Sequence, residues 1–177
     1  EHGILIKGGA VLQKAKDITT ILFDKTGTLT FGKPVVTDVI LFGGKKKEEE
    51  MFYWLMGSAE SGSEHPLARA VVTKAKEETS QALEEPKDFE AIPGHGMICH
   101  VNDSRICIGN RRLMNVEDVI LDQKVDDAAA SLERKGKTVV FAAIDGKMAG
   151  VIAIADTIRP ESPVVIKYLR EQLKLDV

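Results

Sequence analysis

A run of β-branched and aromatic residues, Ile18 to Phe23, passes without interruption into the polar, glycine-containing stretch DKTGTLT. An apolar run that ends abruptly at Asp24 predicts a buried strand, and the following Gly-rich turn is how parallel α/β units are built. The consequence is positional. A carboxylate at the carboxyl tip of such a strand stands in the crevice where open α/β sheets bind ligands. The pattern returns near residue 177, where ADTIRPESPVVIKYLREQL predicts a turn and then a helix from about Pro163, and LKLDV reads as another strand entered and cut off.

Between these flanks the period changes. Phe31-Gly32-Lys33-Pro34 reads as a break before the strand TDVILF, and the charge run KKKEEE starts a helix through Met51, Phe52, Leu55, Met56 and Ala59. Pro66 suits the first turn of a further helix carrying Leu67, Val71 and Ala75 on one face, which puts His65 at its N-terminus. DFEAI, GMICHV and RICIG are strand-like, the last two joined as a hairpin through Asn102, Asp103 and Ser104. A helix follows from Leu121 to Lys135, capped by Asp122 and stopped by Gly136. TVVFAAI and MAGVIAIA then flank Asp145-Gly146, a strong hairpin signal. The fold class is therefore α/β, with an α+β domain over residues 34–152, its antiparallel sheet flanked by helices, inserted between two parts, 1–33 and 153–177, of an incomplete α/β domain.

Composition narrows the function classes. With 24 Lys+Arg against 27 Asp+Glu, the net charge of -3 leaves no basic surplus to neutralise a nucleic acid backbone. An apolar fraction of 44% excludes disorder, and two cysteines, Cys99 and Cys107, predict free thiols in a reducing compartment. No window of about 18 apolar residues is present and no cationic leader opens the chain, so nothing here is expected to span a membrane.

The chemistry begins at Asp24. A carboxylate that attacks phosphorus forms an acyl phosphate, but it is repelled by a polyphosphate unless a divalent cation and a lysine offset the charge. Lys25 and a magnesium ion meet those needs, and Thr hydroxyls with Gly-freed backbone N–H groups suit the transferred phosphoryl. The alternative reading is a loop with a capping Asp and a glycine turn.

Here the chain resembles a known family. ILFDKTGTLT is similar to the phosphorylation motif of P-type ATPases, and GILIKGG, KPVVTDV, SEHPLARAVV, IPGHGM, IGNRRLM and DTIRPES extend the resemblance through almost the whole chain, most closely to copper-transporting members of the heavy-metal branch. The resemblance implies that Asp24 is phosphorylated by ATP, that Lys25 and Thr26 position the phosphoryl group, and that Asp24 and Thr26 belong to an incomplete magnesium site. It implies that Glu60, His65, Gly94, Gly96 and Asn110 hold ATP, and that Asp156 and Arg159 belong to the hinge returning to the phosphorylation domain. The fold it implies is a nucleotide-binding domain inserted in a partial haloacid-dehalogenase-like, Rossmann-type phosphorylation domain.

The parent protein so implied couples ATP hydrolysis to copper(I) export, with this portion on the cytosolic face of a membrane. Its partners are the transmembrane and actuator domains of the same chain and its metal-binding domains. The 177 residues hold no Cys-Pro membrane motif, TGD loop or GDGxND segment, so this portion is expected to bind ATP without turnover. Three other readings compete: a soluble phosphatase of the same fold, a zinc or cadmium pump, and a non-catalytic interaction module. Soluble phosphatases usually carry a second Asp two residues after the nucleophile as general acid and base, and Thr26 stands there instead.

Each nucleotide-site residue also has a plain structural role: His65 as a helix start, Gly94 and Gly96 as turn formers, Asn110 as a cap. Glu64 reads as a first-turn acid. Cys99 and Cys107 face each other across the predicted hairpin near His95 and His100, but alternating cysteines at strand positions are more often core than ligands. Phe52, Tyr53 and Trp54 read as helix packing.

Overall fold

The computed structural model describes residues 8–42 and 46–177. Residues 3–7 of the GILIKGG motif and residue 45 of the charge run lie outside them. The chain divides into two compact units, Pro34–Ala155 and the flanks Glu1–Lys33 with Asp156–Val177.

The strands are β1 (Thr30–Leu41), β2 (Lys87–Ile92), β3 (Gly96–Val101), β4 (Ser104–Gly109), β5 (Thr138–Ile144) and β6 (Lys147–Ile158), hydrogen-bonded in the order β1-β6-β5-β4-β3-β2. The ladders from β2 to β6 are antiparallel. Both predicted hairpins form. The expected break at Phe31-Gly32-Lys33-Pro34 lies inside β1. β1 is an edge strand, where a proline sacrifices no ladder bond if its nitrogen faces outward.

The strand alternation buries both faces of the sheet in Pro34–Ala155. On one side α2 (Lys46–Glu60) and α3 (Pro66–Glu78) pack Phe52, Trp54, Met56 and Val71 against Cys99, Ile106 and Ile152. On the other, α4 (Arg111–Val116) and α5 (Gln123–Glu133) pack Leu113, Met114, Ala129 and Leu132 against Cys107, Phe141 and Val151. The sequence reading missed α4, because six residues are too few to display a helical period. The cysteines do not face each other. β3 pairs Cys99 with Ile106 and Ile98 with Cys107, so period-two alternation sends the thiols to opposite cores. Burial pushes Cys99 up to about 12 and Cys107 to about 11, which leaves both thiols protonated and unreactive.

In the flanking unit, the described elements are α1 (Gly9–Ala15), a turn at Lys25–Leu29 and α6 (Glu161–Glu171). The expected buried strand at residues 18–23 is reduced to one parallel bridge, Thr20 with Asp176. Ile21 N–H donates to Asp176 O at 2.8 Å and Asp176 N–H to Thr19 O at 2.9 Å. Leu22 stays 92% exposed. A parallel strand is buried by neighbours and covering helices, and among the described residues only the segment around Asp176 lies alongside.

Two side chains of α2, and Ser61 just after it, hold the segment after α3. Trp54 Nε1–H donates to Ala82 O at 2.8 Å, Ser58 Oγ accepts from Glu84 N–H at 3.1 Å, and Ser61 Oγ lies 3.3 Å from Glu84 O. Ser58 is fully buried. Replacing Ser58 with Ala leaves the Glu84 N–H without its acceptor, and the expected loss is about 1 to 3 kcal/mol, read as a lower urea midpoint at unchanged slope.

Candidate functional site

The residues singled out in the sequence fall into two groups, one in each unit. In the larger unit, Glu60, His65, Gly94, Gly96 and Asn110 all line a single cavity of about 440 Å³. Each arrives from a different element. Glu60 ends α2, His65 caps α3, Gly94 lies in the β2–β3 turn, Gly96 opens β3 and Asn110 caps α4. Apolar side chains complete the wall, among them Phe89, Ile92, Met97, Ile108 and Val139. Strand residues of this kind look like ordinary core in a sequence, so nothing distinguished them beforehand.

Backbone approach shapes this cavity. Gly96 pairs with Gly109 across β3 and β4. A Cβ at Gly96 would lie 2.1 Å from Ile108 O, and one at Gly109 would lie 2.3 Å from His95 O. Neither position tolerates a side chain without moving main chain.

Asn110 serves as a brace within the site. Its Oδ1 accepts from Leu113 N–H at 3.1 Å, capping α4, while its Nδ2 donates to Gly94 O at 2.9 Å. Its own N–H donates to His95 O at 2.8 Å. The cap role and the site role thus belong to one side chain, which fixes the turn carrying Gly94.

His65 likewise has two uses. Nδ1 accepts from Leu67 N–H at 3.2 Å, which caps α3. A ring nitrogen that accepts carries no proton, so the ring proton sits on Nε2, which remains as a donor. Glu60 is 8% exposed and its carboxyl has no hydrogen-bond or ion-pair partner among the described residues. Desolvation raises its pKa to about 7. An acid that titrates near neutrality and an imidazole donor lining the same apolar cleft can accept from, or donate to, the polar edge of a flat heterocycle.

In the flanking unit, Asp24, Lys25 and Thr26 are all exposed. Asp24 immediately precedes the turn, but its carboxylate makes no capping bond there. Gly27, at φ 80°, occupies a left-handed conformation that permits the turn. Its N–H is not open to a ligand, since it donates to Thr30 Oγ1 at 3.2 Å. Among the described residues no group of three or more His, Cys, Asp or Glu is placed to hold a metal ion. No described helix is long and apolar enough to cross a membrane.

Comparison with known proteins gives these two groups a context. Over 177 residues, the whole of this chain and 21% of the relative, it is 40% identical to a copper-exporting P-type ATPase of Staphylococcus epidermidis. A crystal structure of a zinc-transporting PIB-type ATPase in its E2.Pi state matches 99% of this chain and 27% of that one, at a TM-score of 0.84 and 32% identity. The catalytic domain of the CPx-ATPase CopB-B matches 97% of this chain and 57% of that one, at a TM-score of 0.67 and 28% identity. The chain therefore spans about a fifth of the length of the curated relative. A family model described as haloacid dehalogenase-like hydrolase matches residues 18–177, and the chain belongs to that family.

Proposed function

We propose that this chain is the ATP-binding cytosolic portion of a copper-exporting P-type ATPase, with Pro34–Ala155 as its nucleotide-binding domain and the flanks as part of its phosphorylation domain. The observation that carries the reading is the convergence of Glu60, His65, Gly94, Gly96 and Asn110, from three stretches of the sequence, on one largely apolar cavity. Its volume of about 440 Å³ and its apolar lining suit a purine. The Glu60 carboxylate accepts from the exocyclic amine of adenine, His65 Nε2–H donates to a ring nitrogen, and the side-chain-free backbone at Gly94 and Gly96 admits the ring closely.

In the parent pump, an Asp24 carboxylate oxygen attacks the γ-phosphorus of ATP. The bond from that phosphorus to the β–γ bridging oxygen breaks, its electron pair leaves with ADP, and an aspartyl phosphate remains. Lys25 offsets charge as the phosphoryl group arrives. With Thr26 where a phosphatase has an acid–base carboxylate, water is not activated and the intermediate persists. That persistence favours a pump over the soluble phosphatase.

Magnesium fits this loop in part: the free Asp24 carboxylate and the Thr26 residue offer oxygen donors, and no larger cluster of ligating side chains stands among the described residues. When bound, the ion supplies charge compensation for the phosphoryl group. The chain alone accordingly binds ATP without turning it over. Copper as cargo is supported by the named function of relatives such as the S. epidermidis protein. The zinc-transporting structural neighbour keeps a zinc pump as the second reading.

Substituting His65 with Asn tests the pocket, because Asn keeps an acceptor for the Leu67 N–H while removing Nε2. ATP affinity by calorimetry should fall by about 1 to 3 kcal/mol, roughly five- to 150-fold, with the thermal midpoint nearly unchanged. Unaltered affinity in the folded variant refutes the assignment.

Glu60 gives a pH signature with a definite sign. Its folded pKa of about 7 lies above the ordinary 4.5, so the folded state holds the proton more tightly. Stability is unpenalised below about pH 4.5 and falls by about 3 kcal/mol as pH rises through 7. Glu60→Gln should abolish that decline in urea melts at successive pH values. A nucleotide amine that donates to the carboxylate prefers its ionised form, so ATP affinity should rise from about pH 6 to about pH 8 in the native chain. The increase should be smaller in Glu60→Gln.

A further inference from the structure

The flanking unit contains a relay of hydrogen bonds that leads from the returning chain to the Asp24 loop. Thr30 is 4% exposed, and its hydroxyl is its centre. Thr30 Oγ1 accepts from Gly27 N–H at 3.2 Å and has Asp156 Oδ2 and Lys25 O within reach of its single proton. Lys25 O also accepts the Thr30 N–H. The proton goes to the nearer Asp156 carboxylate, and the hydroxyl lone pairs are left facing Gly27.

Asp156 uses both oxygens. While Oδ2 takes the Thr30 hydroxyl, Oδ1 accepts from Gly32 N–H at 2.9 Å and from Lys33 N–H at 3.2 Å. Neighbouring residues clamp the same stretch. Arg159 Nε–H donates to Thr30 O at 3.0 Å, its guanidinium lies 5.0 Å over the Phe31 ring, and Ser162 Oγ–H donates to Leu29 O at 2.8 Å. These bonds from the returning segment fall on residues 29–33, Arg159 Nη2–H also reaches Gly27 O at 3.5 Å, and the Thr30 hydroxyl is the group that takes the Gly27 N–H.

We propose that Asp156 is a positioning residue for phosphoryl acceptance at Asp24, acting through the Thr30 hydroxyl on the Gly27 turn. This rests on the assignment of Asp24 as the acceptor. A carboxylate meets all three donors with acceptors alone. An Asn at 156 offers one acceptor oxygen, so either the Thr30 hydroxyl or the paired N–H groups of Gly32 and Lys33 meet an amide donor instead. The turn then loses its fixed geometry, and in-line attack is sensitive to such displacement.

The test has two arms. In this chain, amide exchange at Gly27 should quicken in Asp156→Asn and in Thr30→Val, and stay native in Thr30→Ser, which keeps the hydroxyl; uniform exchange in all three overturns the relay. In the full-length pump carrying this segment, Asp156→Asn and Thr30→Val should each slow phosphoenzyme formation from ATP roughly ten- to 100-fold. ATP affinity should not change, Thr30→Ser should remain near native, and the double variant should be no slower than the worse single one. A native rate in either single variant, or additive losses in the double, overturns the positioning role. Asp24→Asn separates this from the underlying reading: phosphoenzyme persisting in that variant refutes the acceptor assignment itself.

Discussion

The candidate site depends on a strand pair that ends without side chains. Gly96 stands opposite Gly109, and any Cβ there would collide with main-chain atoms of Ile108 or His95. Because the backbones close at that point, the β2–β3 turn can lie against the start of α4, where Asn110 binds Gly94 O and His95 O. Elsewhere the two faces of the sheet are filled by α2 and α3 on one side and by α4 and α5 on the other. The cavity lies beside this closure, lined by Gly94, Gly96, Gly109 and Asn110 together with Glu60 and His65.

Glu60 shows the cost of such a site. A carboxyl that is nearly buried without a partner is destabilising when ionised, and a fold selected for stability alone would replace it with an apolar residue. Its retention is understandable if a ligand supplies the missing donor. The same reasoning applies to His65, whose Nδ1 meets a structural need and whose Nε2 has no partner among the described residues. In both residues the unused polar atom, rather than the residue type, is what argues for a ligand.

The local elements were legible where chemistry is local. Asp145-Gly146 and Asn102-Asp103 announced their hairpins, and Asp122 and Pro66 announced their helices, because turn, cap and first-turn preferences act over a few residues. What was not legible depends on partners distant in sequence. The stretch at 18–23 has the composition of a buried strand but only Asp176 beside it, and Phe31-Gly32-Lys33-Pro34 reads as a breaker yet lies in an edge strand. The opposite orientations of Cys99 and Cys107 followed only from register. The glycines, His65 and Asn110 were visible as candidates, whereas the apolar half of the cavity was not, since Ile108 and Val139 look the same in a core and in a pocket.

The larger unit, as proposed, holds a nucleotide by its base, independently of the acceptor loop. Solution NMR of the isotope-labelled chain titrated with ATP, with and without magnesium, tests this most directly. Amide shifts should concentrate at Glu60, His65, Gly94, Gly96 and Asn110, of similar size in both conditions, with residues 24–27 little changed. Strictly magnesium-dependent shifts, or shifts that leave these five residues unmoved, would contradict it.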